Sequence, residues 1–223
     1  MSELTLPGGS GVQLTERYEH ALMNTFGPPK RVFTRGEGCY VWDVEGHKLL
    51  DAFAGLWCVN VGYGRKELGE VASRQMTKLA YYNSFFQCTT EPTIQLAAKL
   101  AELTPADLNH AFFTNSGSEA VDTALKIARA YHQARGDCRR TKLIGRAKGY
   151  HGMGFGGLSV SGIGRQKRDF GPLLGDVAHL PLPYDTASRF SHGQPEQGAH
   201  YADALLQLLE IHDPATVAAV IVE

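Results

Sequence analysis

The chain has 223 residues, 43% of them hydrophobic, and a formal net charge of −1. That length can bury a sizeable core in one or two domains, and the near-zero charge argues against nucleic acid or an anionic membrane as a partner. Cys39, Cys58, Cys88 and Cys138 form no C-x-x-C pair, the start of the chain lacks a signal-peptide pattern and no apolar run is long enough to cross a bilayer, so reduced thiols in a cytoplasmic protein are expected.

In chain order, residues 1–12 are glycine-rich and polar and read as a frayed tail. Leu14 to Phe26 reads as a helix stopped by Gly27-Pro28-Pro29. Two short β pieces, Cys39 to Asp43 and Lys48 to Asp51, flank the turn residues Val44-Glu45-Gly46-His47 and predict a hairpin. Lys66 to Leu79 places Leu68, Val71, Ala72, Met76 and Leu79 on one helical face, and Pro92 marks the start of another helix. From His110 onward strands and helices alternate. The candidate strands are Ala111 to Thr114, Lys142 to Arg146, Val177 to Leu180 and Val217 to Val222, and the candidate helices are Gly117 to Arg135 and Ala199 to His212. The strands are continuous apolar runs, as in a parallel sheet covered on both faces. Pro181 to Gly198 reads as a surface loop. The chain stops at the carboxyl end of a central-strand sequence, where ligands of open α/β sheets bind, which gives the expectation of an amino-terminal part of a longer protein.

Three constellations carry chemistry. At Ser116-Gly117-Ser118-Glu119 a short apolar run meets an amphipathic helix, so free N–H groups and the positive helix end converge on one point, suited to a phosphate. The plain structural reading is a capping box, with Ser116 and Glu119 holding each other's backbone donors. The two readings are compatible, because the N–H groups of Gly117 and Ser118 stay free. Asp122 and Lys126, four apart, support the helix and need no functional role. Next, Gly149-Tyr150-His151-Gly152 follows a predicted strand. The residues fit either a packed tyrosine with a loop histidine, or a ring stacked on a flat ligand. Gly154, Gly156, Gly157, Gly162 and Gly164 read as a loop wrapping a site, without the G-x-G-x-x-G spacing of a dinucleotide fold. Third, Trp57, Phe85 and Phe86 line a pocket or fill a core, and the residues alone do not separate these. The nine histidines have no metal-ligand spacing and no G-x-S-x-G elbow occurs, so no metal and no serine nucleophile are expected.

The run Asn115 to Lys126, followed by Tyr150-His151-Gly152, resembles the class III aminotransferases, pyridoxal-phosphate enzymes of the aspartate-aminotransferase fold type. The likeness runs from Gly38 to Glu223. Gly55-Leu56-Trp57-Cys58-Val59-Asn60, Phe170 to Leu174 and Phe190 to Glu196 look most like the omega-amino acid–pyruvate, or beta-alanine–pyruvate, transaminases. The resemblance implies an α/β fold. Residues 1–60 would belong to a smaller α+β domain, and residues 61–223 to the first part of the large, parallel-rich, fold type I cofactor domain. It implies pyridoxal 5′-phosphate as cofactor. Ser116, Gly117 and Ser118 would lie at its phosphate, Tyr150 on its ring with His151 beside it, and Glu223 below the ring. Trp57, Phe85 and Phe86 would lie at the substrate pocket, the phenylalanines near a neighbouring subunit's site, because family members are dimers. The family's cofactor-anchoring lysine, its ring-pairing aspartate and its carboxylate-binding arginine lie after the matched region, so no catalytic residue is assigned and the chain alone is expected not to turn over. The alternatives are a non-catalytic module that keeps phosphate-cofactor affinity, and a nucleotide-binding α/β protein, which would lack the P-loop lysine.

Overall fold

A computed structural model describes residues 29–184 and 198–223. The helix expected over Leu14 to Phe26, the tail before it and the stretch Phe190 to Glu196 lie outside the described residues, as does most of the loop expected from Pro181 to Gly198. The chain divides into two compact units, residues 1–96 and 97–223.

In the first unit, β1 (Phe33–Glu37), β2 (Tyr40–Asp43) and β3 (Lys48–Leu50) form an antiparallel meander in the order β1-β2-β3. The expected hairpin is its β2–β3 half, in register Tyr40↔Leu50 and Trp42↔Lys48. Buried Asp43 locks the connecting turn by accepting from the N–H groups of Glu45 at 3.1 Å and His47 at 2.9 Å. Glu45 and His47 gather around Asp43 here, and the Arg31 guanidinium 3.0 Å from Asp43 supplies the counter-charge. Arg35 stacks on the Trp42 ring at 3.8 Å and stiffens the β1–β2 pair.

After β3 comes a turn that no sequence pattern predicted. Residues α1 (Ala54–Trp57) carry φ values of 47°, 59°, 64° and 62°, a left-handed turn of which only Gly55 is free of a Cβ. Each non-glycine residue held this way costs about 1–2 kcal/mol. Helices α2 (Lys66–Leu79) and α3 (Glu91–Leu103) follow as expected. The stripe of Leu68, Val71, Met76 and Leu79 forms on α2 but stays exposed.

In the second unit, α4 (Gly117–Ala134) leads to β4 (Lys142–Arg146). The short helices α5 (Phe155–Val160) and α6 (Gly164–Lys167) precede β5 (Val177–Leu180), and α7 (Asp203–Ile211) precedes β6 (Val217–Val220). The sheet runs β5-β4-β6, all parallel, with Leu143 opposite Val177 on one side and Ala219 on the other. Central β4 is buried along most of its length, as a strand covered on both faces must be. Leu125 of α4, Leu143 of β4 and Val160 of α5 form the core, with Val121, Val177, Ala218, Ala219 and Ile221 packed around them.

Three sequence expectations are corrected. Ala111 to Thr114 is not a strand: it has no ladder partner among the described residues, and Phe112 and Phe113 are exposed. The glycine-rich stretch after Tyr150 is not a wrapping loop but contains α5 and α6. Its glycines are small because α5 presses on backbone: a Cβ on Gly157 would sit 2.2 Å from the His151 carbonyl oxygen. The helix expected from Ala199 to His212 opens as a 3₁₀ turn, Ala199–Ala202, before α7. Among the described residues no helix is long and apolar enough to cross a membrane, and all four cysteines are free thiols.

Candidate functional site

In a parallel α/β unit a helix runs antiparallel to the strand it feeds, so the start of α4 lies at the carboxyl edge of the sheet. Ser116 is its N-cap, in extended conformation, and its hydroxyl accepts from the Glu119 N–H at 3.2 Å. The return half of the expected capping box is shifted by one residue. The Glu119 carboxylate accepts from the backbone N–H of Asn115 at 2.8 Å and from its side-chain amide at 3.1 Å, not from Ser116. As a result the N–H groups of Ser116, Gly117 and Ser118 have no hydrogen-bond partner among the described residues. A Cβ built on Gly117 would meet nothing within 4 Å, so the space before these donors is not filled by this unit.

The second wall is the segment after β4. Gly152, at φ +98°, rests on Ser118: a Cβ there would fall 2.8 Å from the Ser118 Cα and 2.6 Å from its Oγ. Only glycine has both the conformation and the clearance. Ser118 Oγ accepts from the Met153 N–H at 3.1 Å, which leaves the hydroxyl proton to be donated elsewhere. Asp122, one turn further along α4, accepts from the Gly157 N–H at 2.6 Å. It thus ties α5 to α4, a role beyond the i, i+4 support expected from its spacing to Lys126. The sequence reading assigned Asp122 no functional role and none of the cofactor contacts to Gly152, whose flanking of Tyr150-His151 was the available signal.

The third wall is the carboxyl end of β6. Glu223 Oε2 accepts from the Tyr150 N–H at 2.5 Å, joining two segments that are 73 residues apart in sequence. Tyr150 remains 44% exposed, two residues before the Gly152–Ser118 contact. His151 differs in exposure. It is buried, its N–H donates to Ser161 Oγ at 2.8 Å, and its Nε2 has no partner among the described groups. The structure therefore brings Ser116, Gly117, Ser118, Tyr150, His151 and Glu223 to one edge of one sheet. Trp57, Phe85 and Phe86 belong to the first unit, where all three are exposed and none fills its core.

Burial pushes the His151 imidazole below the ordinary histidine value; the Glu223 carboxylate opposes this and His179 adds to it. His179 is pushed down in the same direction, first by burial and then by the Lys167 ammonium, 3.2 Å from its Nε2. Lys167 itself is lowered by burial while donating to the Ser159 carbonyl at 2.9 Å. For both histidines the folded value lies below the unfolded one, so below about pH 6.5 the unfolded chain binds more protons and stability falls. The thermal midpoint is expected to hold from pH 8 to 7 and to drop between pH 6.5 and 5, less steeply in His179→Gln. A midpoint unchanged down to pH 5 would show that neither histidine is buried neutral.

The donor set fits a phosphate ester joined to a flat ring. Unpartnered N–H groups at the positive end of an 18-residue helix suit the anion, Gly117 leaves the approach open, and partly exposed Tyr150 is an aromatic ring of the kind that stacks on flat ligands. The model of the family described as aminotransferase class III matches residues 23–223. The chain belongs to the class III aminotransferases. It is 47% identical over 197 residues to an omega-aminotransferase of Caulobacter vibrioides, covering 86% of this chain and 44% of the relative. It is 44% identical over 194 residues to a beta-alanine–pyruvate aminotransferase of Pseudomonas aeruginosa, covering 86% of this chain and 43% of the relative. Its fold matches a thermostable (S)-enantioselective omega-transaminase from Thermomicrobium roseum with a TM-score of 0.85 and 40% identity, over 96% of this chain and 49% of that one. The fold is thus α/β of the fold type I transaminases, and the chain spans under half the length of the relatives it matches.

Proposed function

We propose that this class III aminotransferase chain provides the phosphate cradle and ring-stacking wall of an enzyme that moves an amino group from an omega-amino acid or amine, such as beta-alanine, to pyruvate. The observation that carries the reading is the pair of unpartnered amides at Gly117 and Ser118, held against the segment bearing Tyr150 by the Gly152–Ser118 contact. Pyridoxal 5′-phosphate, when bound, supplies the electron-withdrawing ring that makes amino-group transfer accessible.

This chain's residues position that ring. The N–H groups of Gly117 and Ser118 and the Ser118 hydroxyl hold the phosphate, beside Ser116. Tyr150 covers one face of the ring and excludes water from it. Glu223 fixes the Tyr150 backbone by accepting its N–H, and thereby the height of the phenol ring above the cradle. His151, neutral near pH 7 because it is buried, backs the tyrosine without adding a charge beneath the ring. Trp57, Phe85 and Phe86 line the substrate pocket. Residues 1–60 form part of the small domain and residues 61–223 part of the large one, in a cytoplasmic homodimer.

The reading is tested by calorimetric titration with pyridoxine 5′-phosphate, a probe that cannot condense with lysines. The phosphate ester is expected to bind with one site per chain, and pyridoxine, lacking the phosphate, at least tenfold more weakly, since charge-assisted hydrogen bonds contribute about 1.5–3 kcal/mol each. Equal binding of the two would remove the cradle. The anchoring lysine and ring-pairing aspartate lie after the matched region in the family pattern, so this chain mixed with pyridoxal phosphate, beta-alanine and pyruvate is expected to form no alanine. Sustained alanine formation would show that one of its own lysines serves.

A further inference from the structure

The left-handed turn α1 carries Trp57, and the structure contains a device that holds it. Asp51 directly follows β3, and its backbone N–H donates to the Cys39 carbonyl at 2.9 Å, so its position is fixed by the sheet. Its carboxylate reaches forward over the turn. Oδ1 accepts from the Phe53 N–H at 3.0 Å, and Oδ2 accepts from the Gly55 N–H at 2.7 Å. Oδ2 also accepts from the Tyr63 hydroxyl at 2.7 Å. Tyr63 is itself anchored. Its backbone exchanges two hydrogen bonds with Gly38, at 2.9 and 3.1 Å, and its ring lies so close to Gly36 that a Cβ there would fall 2.5 Å from it.

One carboxylate thus ties the start of a strained segment, at Phe53 and Gly55, to the end of β3 and to Tyr63. The turn closes with Trp57 N–H donating to the Phe53 carbonyl at 2.8 Å and Cys58 N–H donating to the Ala54 carbonyl at 2.9 Å. The Trp57 ring meets the Phe53 ring edge-on at 5.9 Å, yet stays 70% exposed. Apart from that edge contact the exposed indole has little packing to choose its direction, and Ala54, Leu56 and Trp57 sit where L-residues are disfavoured. The backbone, held from outside, sets where the ring points.

We infer that Asp51, with Tyr63, is the positioning pair that aims Trp57, and so a determinant of which amine the enzyme accepts. The consequence for amine choice rests on the reading above that Trp57 lines the substrate pocket; the clamp itself does not. Asparagine at position 51 keeps one acceptor oxygen and places an NH₂ where the other oxygen accepted, so it cannot accept from Phe53, Gly55 and Tyr63 together. Phenylalanine at position 63 removes one donor and leaves the ring on Gly36.

The test uses the chain labelled with 5-fluorotryptophan, whose two tryptophans give two ¹⁹F resonances, with Trp42 as the internal control. In Asp51→Asn the Trp57 resonance is expected to move most of the way to its urea-unfolded position while Trp42 and the thermal transition are retained. In Tyr63→Phe the shift is smaller and in the same direction. A Trp57 resonance unmoved in both variants overturns the clamp and leaves the pocket reading untouched. Should Asp51→Asn displace Trp42 as well, Tyr63→Phe decides: a Trp57-only shift supports the clamp, and none overturns it. A clamp confirmed in this way, in a transaminase whose amine preference is indifferent to substitution of Trp57, would overturn the specificity consequence alone.

Discussion

Gly117→Pro is expected to weaken binding of pyridoxine 5′-phosphate about 10- to 100-fold while leaving the fold intact, because one lost hydrogen bond to a charged group is worth about 1.5–3 kcal/mol. The substitution suits this position. Gly117 is the first residue of α4, where proline's fixed φ is compatible with the helix and its missing N–H breaks no intrahelical bond. Ser116 before it is already extended, at φ −155° and ψ 161°, the region a residue preceding proline adopts. A Cβ there would meet nothing within 4 Å. The change removes the donor and puts the ring's Cδ where the amide proton was. Titration calorimetry and far-ultraviolet circular dichroism together read it: unchanged helicity with unchanged affinity would mean that the amide faces no ligand.

Gly145→Ala is expected to destabilise the second unit by about 3 kcal/mol or more, the upper range for overpacking in a tight interior. Gly145 lies in the middle of β4, and a Cβ there would fall 2.0 Å from the Val160 carbonyl oxygen and 2.9 Å from its carbon. Both atoms are backbone, so no rotamer change relieves the overlap, and α5 has to lift off the sheet. That movement separates α5 from Asp122, whose bond to the Gly157 N–H links it to α4. Gly69→Ala is the control. It lies on α2 with nothing within 4 Å of its Cβ position, and is expected to be stabilising by up to about 1 kcal/mol. Urea unfolding followed by circular dichroism gives both values. A Gly145→Ala midpoint equal to that of the native chain would contradict the α5–β4 packing.

The parts of the fold that were legible are those where periodicity and termini agree. Ser116 before a helical apolar stripe marked the start of α4, and the uninterrupted apolar run of β4 marked a strand with both faces covered. Three things were not legible, each for a physical reason. The Glu119 carboxylate reaches Asn115 and not Ser116, a difference of one residue that depends on the local chain path. The glycines from Gly154 to Gly157 look like loop formers because their intrinsic helix propensity is low. Gly156 and Gly157 are nonetheless helical, and Gly154 caps the helix, because α5 presses against Asp122 and the His151 carbonyl, where a Cβ would collide. The turn that carries Trp57 has three non-glycine residues in left-handed conformation, which no local pattern announces, and the holding carboxylate and hydroxyl come from Asp51 and Tyr63 on either side of it. Of the candidate site, the free donors at the start of α4 and the glycine-flanked Tyr150 after β4 were readable as motifs. The Tyr150–Glu223 bond was not, because only the parallel pairing of β4 with β6 brings residues so distant in sequence together.

The most direct measurement is a ¹H–¹⁵N correlation spectrum of the chain titrated with pyridoxine 5′-phosphate. The Gly117 and Ser118 amide protons are expected to move downfield together and saturably, with the Tyr150 ring resonances shifting in the same titration and the amides of Gly46 and Gly69 unchanged. Saturable binding with Gly117 and Ser118 amides that stay in place would contradict the account.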